Sequence, residues 1–147
     1  DSRMPRLYRE APLMSIWEGS GNVAALDALR AMARQPETLG IYLDEIRSAA
    51  GADRHFDGAV HALEETLTGL DPSDAGQLQF QARRIVGDMA SLLQGSLLIR
   101  YGDPAVSDAF TATRLAGDRG DVFGTLPSGV DAGKIVSRTA TEIGALA

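Results

Sequence analysis

The run Ser15-Ile16-Trp17-Glu18-Gly19-Ser20-Gly21-Asn22 places one carboxylate between an aromatic ring and a glycine, just ahead of a helical pattern that begins at Val23. A carboxylate beside tryptophan is partly desolvated, which raises its pKa and makes it a better proton acceptor near neutral pH. The flanking glycines let backbone approach a ligand closely and adopt positive φ. Asn22 has the chemistry of an N-cap, so the free N–H groups of the next helix would point back at whatever the loop holds. The same spelling also fits an ordinary helix-entry loop with a solvated glutamate, because short motifs match often by chance.

The other chemically capable side chains read more plainly. His55 and His61 are six apart, share no helix face and have no cysteine to join them, so no metal site is predicted. Glu64 and Glu65 are neighbours on a helix and diverge. Arg84 has Asp88 four residues on, which predicts a surface pair rather than a phosphate clamp for Arg83-Arg84. Arg3, Arg6 and Arg9 recur every third residue. They would contact the phosphates of a ligand in a complete protein, or else lie in solvent or in an inter-subunit salt bridge.

The elements around the run are helical throughout. Pro5 and Pro12 limit residues 1–15 to a short turn near Arg6–Glu10, followed by an extended approach to the run. From Asn22 to Arg34, Val23, Leu26, Leu29 (with Ala25 and Ala28) and Met32 mark one apolar face. A second helix is predicted from Pro36 to Ala50, closed by Gly51 as a left-handed cap. Asp53 caps a third, with Phe56, Val60, Leu63 and Leu67 along its face and Gly69 at its end. A long helix follows from Pro72 to Tyr101, its seam formed by Leu78, Ala82, Ile85, Met89, Leu92, Ser96 and Ile99. Gly87, Ser91 and Gly95, spaced by four on another face, predict close approach of a neighbouring helix. Gly102-Asp103-Pro104 stops, caps and restarts a helix that runs to about Gly117. Residues 118–130 read as loop, and Asp131 caps a last helix. The predicted fold is all-α, an antiparallel helical bundle with the long helix as its spine.

Composition bounds the function. At 147 residues the chain can bury a real core, and 44% hydrophobic with 23% charged residues is ordinary for a globular protein. The absence of cysteine excludes disulfides and thiolate chemistry. No apolar run approaches the ~18 residues that span a membrane. The start at Asp1 has neither initiator Met nor signal peptide, so an internal start and a fragment are expected. Of 20 acids and 14 bases, five of each lie in residues 1–37; the remaining 15 and nine give residues 38–147 the whole net charge of −6. That excess weighs against nucleic acid as a partner, whose phosphates are bound largely by neutralisation.

Arg6-Leu7-Tyr8-Arg9-Glu10-Ala11-Pro12, followed by Ile16-Trp17-Glu18-Gly19-Ser20-Gly21-Asn22, resembles the C-terminal part of an acyl-CoA dehydrogenase. The Trp-Glu-Gly-Ser form and Asp53-Arg54-His55-Phe56-Asp57-Gly58-Ala59-Val60 resemble the AidB-like, adaptive-response branch of that family. The resemblance is strongest from Arg6 to Arg34 and covers only the closing part of a complete enzyme. It implies that residues 1–35 end the family's helical domain and that residues 36–147 form an AidB-like helical extension. It further implies FAD as cofactor, α,β-dehydrogenation of an acyl-CoA thioester, and Glu18 as the base that removes the α proton. By analogy Gly19 lies against the thioester end of the substrate. Ser20, Gly21 and Asn22 meet the flavin, with Ile16 and Trp17 on the same wall; Trp17 replaces a tyrosine common in the family and would narrow the acyl pocket. A cytoplasmic homotetramer completed by the missing N-terminal domains is implied, with double-stranded DNA binding or oligomer assembly as the alternative role of the helices. One loop cannot enclose FAD, so the 147-residue chain by itself is expected to be inactive and colourless.

Overall fold

The computed structural model describes residues 4–17 and 21–144, with side chains for residues 5–17 and 21–138. All its regular elements are helical: α1 (Met4–Glu10), a 3-10 segment (Ala11–Ser15), α2 (Gly21–Arg34), α3 (Glu37–Arg47), α4 (Arg54–Thr68), α5 (Ala75–Tyr101), α6 (Pro104–Phe110), a π-helical turn (Thr111–Leu115) and α7 (Ala132–Gly144). Among the described residues no strand forms, and the all-α expectation holds.

At 27 residues, about 40 Å, α5 is the spine; α2, α3, α4, α6 and the π turn all pack on it. The predicted seam is the buried one: Ala82, Ile85, Leu92 and Ser96 are inaccessible, and Leu78, Met89 and Ile99 half-buried. Ile46 and Ala49 from the α3 end, Phe56 and Leu63 from α4, and Leu92 from α5 form one apolar cluster. Leu115 of the π turn closes it. Inside it the Tyr42 hydroxyl donates to the Met89 carbonyl at 2.8 Å, and burial first, then the Asp88 carboxylate, holds that phenol above its usual range. At the rim Arg100 of α5 meets Glu45 of α3 at 2.6 Å, and Arg47 of α3 meets Glu64 of α4 at 2.7 Å.

Four acids start four helices. Asp53 Oδ1 accepts from the His55 and Phe56 amides, both at 2.8 Å. Asp74, Asp103 and Asp131 accept from Gln77, Ala105 and Lys134 in the same way. Each satisfies an amide that the helix itself leaves without a partner. Gly51, at φ +80°, provides the left-handed turn after α3, and its amide donates to Asp57 at 3.0 Å.

Several local expectations fail. The approach to the run is not extended: α1 is seven residues long and passes straight into the 3-10 segment. Pro5 and Pro12 sit in the first turns of their elements, where no helical N–H is lost. The long helix starts at Ala75, not Pro72, because the Asp71 side chain turns back on the amide and hydroxyl of Ser73. Of the spaced small residues, Gly95 is the close contact: a Cβ there would lie 3.1 Å from Leu115 and 3.2 Å from Phe56. At Gly87 it would meet nothing within 4 Å. On α2 the predicted face is buried only in part: Ala25 is inaccessible, whereas Val23 and Leu26 stay exposed. Among the described residues, no helix is long and apolar enough to cross a membrane.

Candidate functional site

Glu18, Gly19 and Ser20 lie outside the described residues, which fix both flanks of the run. On the near side the 3-10 segment ends in a turn in which the Ile16 and Trp17 amides both donate to the Leu13 carbonyl, at 3.1 and 2.9 Å. Ser15 Oγ donates to the Pro12 carbonyl at 2.7 Å, tightening the same turn. Ile16 and Trp17 are 71% and 63% exposed, beside other exposed apolar side chains at Leu7, Tyr8, Leu13 and Met14. Every described side chain from Pro5 to Trp17 is exposed. This segment therefore rides outside the bundle, with an apolar surface that the bundle does not bury.

On the far side α2 begins at Gly21, so Asn22 is its second residue and not the predicted cap. Asn22 is exposed. Gly21 touches the spine: the Arg83 guanidinium of α5 lies over its Cα, in the space that a Cβ would occupy. Of the six residues assigned to cofactor or substrate contact, the structure brings Ile16, Trp17, Gly21 and Asn22 to the two edges of the Glu18–Ser20 gap.

Arg83 and Arg84 part company in the structure. The prediction treated Arg83 and Arg84 as one surface feature, but neighbours on a helix point about 100° apart. Arg83 goes to Gly21. Arg84 lines a groove of about 170 Å³ with Ala59, Leu63, Asp88, Leu92 and Arg114, between α4, α5 and the π turn. Partial burial raises the Asp88 carboxyl above its ordinary range, and Arg84 pulls it the other way. No described residue of the Ser15–Asn22 run lines that groove.

The remaining candidates resolve simply. Arg6 pairs with Glu10 within α1 at 2.9 Å, with both side chains well exposed. Arg3 lies outside the described residues. His61 faces Glu65 at 3.4 Å on the surface, and Arg54 reaches His55.

No family model matches the chain. It is 35% identical over 115 residues to the protein named "Putative acyl-CoA dehydrogenase AidB" of Escherichia coli (strain K12). The match takes in 78% of this chain and 20% of that protein, so the chain spans about a fifth of its relative's length. The relationship is AidB-like.

Proposed function

We propose that this chain is the base-bearing helical part of an FAD-dependent, acyl-CoA dehydrogenase-like protein. The observation that carries the proposal is the 35% identity to AidB. The exposed apolar segment before Glu18 supports it, because such a surface asks to be covered by further protein or ligand.

The chain's own residues would divide the work as follows. Glu18 takes the α proton of a bound acyl-CoA thioester, and Gly19, with no side chain, lets the thioester lie close. Trp17, its neighbour in sequence, would help exclude water from the site once the rest of the enclosure is in place. Ile16, Trp17, Ser20, Gly21 and Asn22 would be the residues that meet the flavin. Bound FAD would supply the acceptor for the β-hydride. The fit is to one wall: Ile16 and Trp17 are open to solvent, so the rest of the enclosure belongs to other parts of a longer protein or to a second subunit of an oligomer. Residues 1–35 would then complete a dehydrogenase helical domain, and residues 36–147 an AidB-like extension.

The test uses a protein long enough to bind FAD. Anaerobic addition of an acyl-CoA should bleach the flavin absorbance and yield the corresponding enoyl-CoA. A flavin that stays oxidised against a series of chain lengths contradicts the proposal.

A further inference from the structure

We propose that the groove between α4, α5 and the π turn binds a small organic monoanion: a compact apolar body carrying one carboxylate, held by Arg84 and Arg114. The groove's floor is apolar, with Leu63 and Leu92 buried at 3% and 1% exposure and Leu115 half-buried beside them. Its volume is about 170 Å³, and an apolar space of about 150 Å³ is enough for benzene. The space exists because α4 lines it with the methyls of Ala59 and Ala62. The π turn comes close on the other side, since Gly95 has no Cβ to meet Leu115. A π turn re-aims the side chains that follow it: here Leu115 joins the core cluster while its neighbour Arg114 lines the groove.

Charge defines what the groove would hold. Arg84 and Asp88, one turn apart on α5, feel each other's fields without closing to an ion pair. Arg114, exposed and on a different element, has no ion pair and no side-chain hydrogen bond among the described residues. Two guanidinium groups against one carboxylate leave the groove one positive charge in excess, within a chain of net charge −6. That surplus matches a monoanion, and the acidic chain around it disfavours a polyanion. A guanidinium fork pairs with both oxygens of a carboxylate, which gives direction as well as attraction. Ser91, singled out by its spacing from Gly87 and Gly95, falls on the same face as Arg84 and Asp88 and adds a hydroxyl to the lining. The site is independent of the flavin chemistry proposed above.

Benzoate is the probe, titrated into the 147-residue chain and followed by amide chemical shifts. It should saturate with a Kd at or below about 1 mM and move the amides of Leu63, Ser91 and Leu115. Benzamide, similar in shape but uncharged, should bind at least about tenfold more weakly. Inorganic phosphate, charged but without an apolar body, should not displace benzoate. Arg84→Gln and Arg114→Gln should each weaken benzoate about three- to tenfold; both side chains are exposed, so the fold is kept. Asp88→Asn should tighten it about two- to fivefold by removing a like charge. Ala62→Leu, also at an exposed position, keeps all three charges but fills the groove, and should weaken benzoate at least about tenfold. Benzoate that does not saturate by about 10 mM overturns the proposal. So does equal binding of benzamide, displacement by phosphate, or wild-type affinity in Ala62→Leu.

Discussion

Asp53 shows how much one side chain can organise. Its Oδ1 accepts two α4 amides at 2.8 Å and its Oδ2 meets the Thr111 hydroxyl at 3.3 Å, joining a helix start to the π turn. Asp53→Ala should lower unfolding stability by about 1–2 kcal/mol, at the upper end for a lost cap, as read by urea denaturation. Tyr42 gives a pH signature. The fold holds its phenol neutral beyond the ordinary value of 10.0, so the contribution is fully present below pH 10 and is lost as pH rises toward the folded value. Tyr42→Phe should be less stable near neutrality by about 0.5–1.5 kcal/mol, for the lost bond to Met89. The difference from wild type should shrink above pH 10. A gap that widens with pH contradicts the assignment. Both residues were partly legible: an aspartate before an apolar run spells a cap, whereas the Thr111 contact spans 58 residues of sequence and left no local signal.

At the scale of elements, the seam of α5 was readable because a 3.6-residue period records which side is buried, and the buried residues follow it. The small residues on its other faces were not, since spacing alone does not say where a neighbour lies. Gly95 is filled on both sides and Gly87 faces open space. Gly87→Ala should therefore raise stability by roughly 0.5–1 kcal/mol. Gly95→Val should cost about 1–3 kcal/mol through overpacking against Phe56 and Leu115. Equal effects at the two positions, by thermal unfolding, would contradict this packing. The π turn was also beyond sequence reasoning. It forms where Thr111 and Thr113 hydroxyls bond back to the Asp108 and Ala109 carbonyls, a choice made by the tertiary setting of Leu115. At α2, periodicity pointed to Val23 and Leu26 with Ala25 beside them, and of these the bundle buries only Ala25. The larger residues remain free for a surface outside the described helices.

The whole molecule divides into a bundle that satisfies itself and a leading segment that does not. The bundle's polar needs are met: among the described residues no buried side-chain nitrogen or oxygen lacks a hydrogen bond. Residues 5–17 bury nothing and expose Tyr8, Met14, Ile16 and Trp17. The run they lead into was found in the sequence by its residue types. The approach of Arg83 to Gly21 was not, because the two stand 62 positions apart and no helical period relates them. The same division explains why chemistry is proposed at the edge of the fold and not in its groove: the groove's Arg84 and Asp88 face each other's fields, while Ile16 and Trp17 at the edge stay exposed.

The central claim is that the side chain of residue 18 accepts a proton from carbon. Its most direct measurement is exchange of the α hydrogens of a bound acyl-CoA with deuterated solvent, in a flavin-loaded protein long enough to bind substrate. Glu18→Gln should retain flavin and substrate binding while slowing that exchange by about 10²–10⁴, the usual contribution of a positioned base. Exchange at the wild-type rate in the glutamine variant would contradict the account and assign the base to another residue.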